Sequence, residues 1–201
     1  MMDSRLALEQ AMRGRTMEAV VIGASAGGVN ALLQMLPALP SGYRLPIVVV
    51  LHVSGRPNQL VDVFQQRVAI PVREAADKED LVPGTLYFAP AGYHLLIEKE
   101  RSFSLSCDAP LHFARPAIDI TMESAADAFG ASLVGILLTG ANEDGAAGMA
   151  TIGRAGGFTI VQDPQEANAS VMPAEAIRAR QPDLVLPLEQ ITQLLLMLAR
   201  R

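Results

Sequence analysis

The chain has 201 residues, half of them apolar and 18% charged, with a net charge of −5 at pH 7. That length suits one domain that buries roughly two-thirds of its unfolded surface, and the acidic balance excludes the concentrated basic face that nucleic-acid binding needs. Cys107 is the only cysteine, which excludes an internal disulfide and fits a reducing, cytoplasmic location. No apolar run approaches the ~20 residues of a membrane helix, and the charged amino terminus lacks the apolar stretch of a signal peptide.

Residues 1–16 form a loosely amphipathic lead-in (Leu6, Leu8, Ala11, Met12), either a linker or a first helix. The run Ala19 to Ala24 predicts a strand buried on both faces. Ala31, Leu32, Met35, Leu36 and Leu39 then recur at helical spacing until Pro40-Ser41-Gly42 stops them. "PIVVVLHV" is a second buried strand, followed by the polar loop "SGRPN" and a helix through Leu60, Val63 and Phe64. Residues 71–107 show short alternating segments with turns at Pro83-Gly84 and Ala91-Gly92, which predicts antiparallel hairpins inserted at the edge of the fold. Helical spacing returns from Pro116 to Phe129, and "SLVGILLTG" is a third buried strand. "EDGAAGMATIGRAG" reads as turn, helix and glycine stop. "FTIVQD", a helix Pro173 to Arg180, "DLVLP" and a last helix Leu188 to Leu198 follow. Repeated strand–helix units predict an α/β fold: a doubly wound, mostly parallel sheet with helices on both faces and the inserted hairpin region.

"VVIGASAGGVNALLQML" admits two readings. Gly23, Ser25 and Gly28 occupy the positions of a dinucleotide fingerprint, but the middle glycine is a serine. No Asp or Glu lies between Val20 and Arg56 to take a ribose, and no Gly-Lys-Ser/Thr follows to make a P-loop. The other reading is a Gly-x-Ser-x-Gly turn between strand and helix, which lets a serine hydroxyl stand clear of the backbone. The helix behind it directs N–H groups and positive dipole density toward an oxyanion, with Ala26 N–H as the expected donor.

A serine nucleophile needs a base and an acid. His94 and His112 fall in or near turns, where structural roles or plain exposure are expected. His52 ends a buried parallel strand. Early strands of a doubly wound sheet lie side by side, so Ser25 and His52 project from one edge at the switch point. "SLVGILLTG" is the expected strand across that point, and its loop brings Asp144 to the other side of Ser25. Asp144-Gly145 also reads as an ordinary helix cap, and Asp163 is the competing carboxylate. Glu143 is expected to turn elsewhere. By general triad chemistry, His52 takes the Ser25 proton and Asp144 orients the ring.

"IGASAGGVNALLQMLPALP", "VVVLHV", "VREAADKEDLVPGTLYFAPAGYHLLIE", "RPAIDITMESAA", "GILLTGANEDGAAGM" and "QDPQEANASVMPAEAI" occur in one order. Together they resemble the catalytic domain of bacterial chemotaxis protein-glutamate methylesterases, over almost everything from Val20 onward. The family's Ser, His and Asp fall on Ser25, His52 and Asp144. The resemblance implies hydrolysis of glutamate γ-methyl esters on chemoreceptor cytoplasmic helices, deamidation of receptor glutamines in some members, and no metal or organic cofactor. It makes residues 17–201 a methylesterase-like domain whose partner is the receptor's cytoplasmic part, with no nucleic acid and no membrane insertion. Ala26, Gly27, Ala141 and Arg115 match its oxyanion and substrate-binding positions.

Four features depart from that pattern. Ala26 replaces a common Thr, Ala141-Asn142 replaces Met-Gly, and Val53-Ser54 replaces Met-Pro. The chain also begins almost at the catalytic domain, without the family's phosphorylatable receiver. The departures that surround Ser25 and Asp144 leave a slow esterase, or a noncatalytic binding module with the same fold, as alternatives.

Overall fold

The computed structural model describes residues 2–52 and 59–199. The loop expected at residues 54–58 and the departure at Val53-Ser54 lie outside them. In chain order the elements are α1 (Met2–Ala11), β1 (Ala19–Ala24), α2 (Gly28–Met35), β2 (Ile47–Leu51), α3 (Gln59–Gln65), β3 (Val72–Glu74), β4 (Leu86–Phe88), β5 (His94–Ile97) and β6 (Phe103–Ser106). They continue with α4 (Ile118–Phe129), β7 (Leu133–Leu137), α5 (Ala146–Arg154), β8 (Phe158–Gln162), α6 (Val171–Ala179), β9 (Leu184–Leu186) and α7 (Leu188–Leu198).

Seven parallel strands form one sheet in the order β3-β4-β2-β1-β7-β8-β9. The chain builds outward from β1 through β2, then returns to β7 on the other side. β1 therefore lies at the switch point, where a crevice opens beyond the carboxyl ends of β1, β2 and β7. Alternate β1 residues feed two cores. Val20, Ile22 and Ala24 join the side chains of α1, α2, α3 and α7, while Ala19 and Val21 join those of α4, α5, α6 and the β5–β6 hairpin. This fits a doubly wound sheet with apolar strands covered on both faces.

The middle of the chain is less antiparallel than its pattern suggests. Among the described strands only β5 and β6 pair antiparallel, as a separate two-stranded sheet, with isolated antiparallel bridges at Asp80–Ser102 and Leu111–Ala114. β3 and β4 extend the parallel sheet beyond β2. Leu86, Tyr87 and Phe88 are all buried, the continuous pattern of an inner parallel strand, whereas only Val72 of the edge strand β3 is buried. A three-residue strand is too short for periodicity to separate these cases. The lead-in contains a helix, and its Leu8 and Met12 pack into the core that α7 shares. α4 begins at Ile118 rather than Pro116, because Ala117 is still extended. α6 begins two residues before Pro173, which then sits in the first turn, where its missing N–H is tolerated.

Candidate active site

β1 is buried along its whole length and releases the chain into a tight turn at Ser25. Ser25 N–H donates to Thr139 O (2.9 Å), and Gly28 N–H donates to Ser25 O (2.7 Å). Gly27 has φ +81°, and a Cβ there would lie 2.7 Å from the Asn168 Cβ, so this position requires glycine. Ser25 is half-buried and lines a cavity of about 530 Å³ together with Ala26, Leu51, His52, Phe88, His112 and others.

Strand register brings the histidine to that turn. Ala24 pairs with Leu51, and His52 N–H donates to Ala24 O at 3.1 Å. His52 Nε2 lies 2.9 Å from Asp144 Oδ2. The oxygen lies off the ring's N–H direction, so the contact is close without being a straight hydrogen bond. With Nε2 facing the carboxylate, Nδ1 is the ring nitrogen left for a proton from the cavity.

Asp144 is fully buried just before α5. It does not cap its own helix. Its Oδ2 accepts Ile118 N–H (2.8 Å) and its Oδ1 accepts Asp119 N–H (2.9 Å), so it satisfies the start of α4. Burial pushes this carboxyl upward, but His52 and the Asp119 and Ile118 N–H groups outweigh burial and hold it below its ordinary value. Asp119 returns the arrangement: its Oδ1 accepts Gly145 N–H (2.9 Å) and Gly148 N–H (2.7 Å) at the start of α5. Burial, helped by the charges of Asp144 and Glu123 and opposed by those two N–H groups, pushes Asp119 up to about 6.

The other histidines differ from each other. His94 is buried and structural: its Nδ1 accepts Ala117 N–H (3.2 Å), which leaves Nε2 to donate to Ala109 O (3.1 Å). His112, expected to be structural or merely exposed, lines the cavity and sits between two carboxylates. Its Nε2 is 3.5 Å from Asp119 Oδ2, and its Nδ1 is 3.2 Å from Glu143 Oε1. Sequence reasoning missed His112 and Asp119. The available signal was a helix start at Ala117-Ile118 with no Ser, Thr, Asp or Asn to cap it, which requires partners from elsewhere.

Arg115 lines the cavity, but its Nη1 donates to Cys107 O (2.9 Å) and Asp108 O (3.0 Å), so it fastens the 107–115 segment. Ala26 lines the cavity, while Gly27 and Ala141 are not among its described lining residues. Asp163 lies at the end of β8 and accepts Gln165 N–H at 2.9 Å in a local turn. Among the described residues no group of three His, Cys, Asp or Glu side chains is arranged to hold a metal ion, and no helix is long and apolar enough to cross a membrane. The chemistry available in the crevice is that of a hydroxyl, an imidazole and a buried carboxylate beside a helix start.

The family model described as CheB methylesterase matches residues 20–195. A Leptospira interrogans protein, provisionally named protein-glutamate methylesterase/protein-glutamine glutaminase, is 43% identical over 182 residues, covering 90% of this chain and 94% of that protein. A Carboxydothermus hydrogenoformans protein-glutamate methylesterase/protein-glutamine glutaminase is 41% identical, covering 87% of this chain and 53% of its own length. The crystal structure of the Thermotoga maritima CheB methylesterase catalytic domain superposes with a TM-score of 0.86 at 32% identity, over 91% of this chain and 99% of that one.

Proposed function

The chain belongs to the CheB methylesterase family, and from that premise we propose that it hydrolyses glutamate γ-methyl esters on the cytoplasmic helices of chemoreceptors, and deamidates receptor glutamines, in the adaptation of a cytoplasmic signalling system. The observation that carries the reading is the 2.9 Å contact between the buried Asp144 and His52, which lines one cavity with Ser25.

In this reading Ser25 Oγ bonds to the γ-carbonyl carbon while His52 Nδ1 takes its proton. Asp144 orients the ring and stabilises its charged form. Ala26 N–H and the start of α2 face the developing oxyanion. The C–O bond to the methoxy group breaks, and His52 returns the proton so that methanol leaves. Water then attacks the acyl-enzyme with His52 as base, which releases the glutamate carboxyl group and restores the Ser25 hydroxyl. A carboxamide follows the same course and loses ammonia. The Arg115 guanidinium at the cavity suits the acidic surface that surrounds such sites. Ala26 has no side-chain donor, and loss of one oxyanion donor costs ~10²–10³ in rate, so turnover is expected to be slow for the family.

Methanol release from methylated chemoreceptor cytoplasmic fragments tests the reading. Ser25→Ala should lower it by at least ~10⁴ at unchanged melting temperature. Equal, near-zero release from both folded proteins would overturn it.

A further inference from the structure

Asp119 is a buried carboxylate that none of these chemical steps uses. It is 2% exposed, in the first turn of α4, and faces the cavity-lining His112. Capping α5 does not account for a charge there. A neutral Asn or Ser suffices to cap a helix, though it holds the N–H groups less strongly than a carboxylate does, whereas a second carboxylate beside Asp144 adds like-charge repulsion in a desolvated place. What the carboxylate does supply is two short, charge-assisted contacts, one to the Gly145 N–H directly after Asp144 and one to the Gly148 N–H a turn further along α5.

The surrounding contacts all converge on the same turn. Glu143 is held by His112, Asp144 by the first two N–H groups of α4, and Gly145 by Asp119. His112 also faces Asp119, so one histidine–carboxylate unit grips the turn on both sides of Asp144. We propose that Asp119 is a positioning residue for the hydrolase: its carboxylate fixes the Gly145 peptide, and with it the Asp144 side chain, in the orientation that receives the His52 ring. This rests on the roles given above to Ser25, His52 and Asp144. The groups that face Asp119 are Asp144 before α5, Glu123 on its own helix and His112 from the 107–115 segment, with Glu143 and His52 one contact further and His94 of β5 at the adjoining Ala117. Because Asp119 takes up its proton near pH 6, its grip on the two glycine N–H groups weakens below that point.

The test is Asp119→Asn in the full chain, with melting temperature, kcat and KM for methanol release, and the rate at which a fluorophosphonate labels Ser25 between pH 5 and 8. Misplacement of a catalytic group by ~1 Å costs up to ~10² in rate. A folded variant should therefore lose about tenfold in kcat and in labelling rate with KM within about twofold, and the part of the labelling profile that Asp119 contributes near pH 6 should vanish. Asp119→Glu, charged but too long, should not restore the rate. Wild-type labelling by folded Asp119→Asn, with an unchanged pH profile, overturns the proposal. Should that variant fail to fold, His112→Gln decides: labelling slowed about threefold supports the proposal, and wild-type labelling overturns it. Slowed labelling in a protein whose wild type releases no methanol supports the positioning role while breaking the proposed substrate. A wild type that does not label at all overturns both.

Discussion

Two strand-to-helix turns face one crevice, and both pass through a left-handed glycine: Gly27 with φ +81° before α2 and Gly145 with φ +98° before α5. Both helices begin without a side-chain cap from the N-cap residue. They differ in what occupies the positive end. At α5 a buried carboxylate, Asp119, fills it, and the turn carries a second buried carboxylate. Among the described residues no side chain caps α2, and Ser25 and Ala26 line the cavity in front of it. The same local architecture is therefore spent on structure at one turn and left open to the cavity at the other. The proposed roles fit that difference: an acid needs a fixed, buried setting, and a nucleophile needs approach.

The largest expected effect breaks the acid's turn at its centre. Asp144→Asn turns a double acceptor into a group with one acceptor, opposite Ile118 N–H, Asp119 N–H and His52. Methanol release should fall by ~10⁴, the cost of an unsupported or wrong histidine tautomer. Next, alanine at the two glycines compares the two turns directly. A Cβ at Gly145 would lie 2.5 Å from Leu137 Cδ1 and 2.9 Å from Ile118 Cγ2, in the core. Gly145→Ala should cost ~3 kcal/mol by urea unfolding, against ~1–2 kcal/mol for Gly27→Ala, where Asn168 is the side chain that must give way.

The smallest effect is a dependence of stability on pH with opposite signs at the two carboxylates. Asp119 holds its proton more tightly folded than unfolded, so its contribution is greatest below 3.8 and declines as pH rises to about 6. Asp144 is lowered, so its contribution is present above its ordinary 3.8 and is lost as pH falls through the lowered value. Melting curves should show Asp119→Asn gaining on the wild type as pH rises from ~4 to ~6, and Asp144→Asn gaining as pH falls below ~4. Parallel curves for both variants would erase the distinction between the turns.

The sheet was legible because its central strands are long, apolar and β-branched, and Gly-x-Ser-x-Gly with a histidine at the next strand end drew attention to the crevice. β1 and β2 do lie adjacent, with β7 across from β2, as the switch-point argument required. β3 and β4 were misread because three residues cannot display a period. The acid's turn was harder to read for another reason. Asp144 caps a helix that starts 26 residues earlier, and Asp119 caps one that starts 27 residues later than itself. Spacing along the chain predicts local caps, and here the two helices exchange theirs through space. His112 was missed in the same way, since neither carboxylate it faces is its sequence neighbour.

Thr139 ties the Ser25 turn to a third segment. Its hydroxyl donates to Ala26 O (2.8 Å) and accepts Ala169 N–H (2.8 Å), its carbonyl receives Ser25 N–H, and its own N–H donates to Gln162 Oε1 (2.9 Å). Asn168 meanwhile fills the space that a side chain on Gly27 would need. Surface segments between elements ordinarily drift independently as sequences diverge. Residues 25–28 and 168–170 are riveted through one hydroxyl, and a change in either is a change in the seat of the other. They therefore form one heritable part, and any redesign of the cavity has to treat them as such.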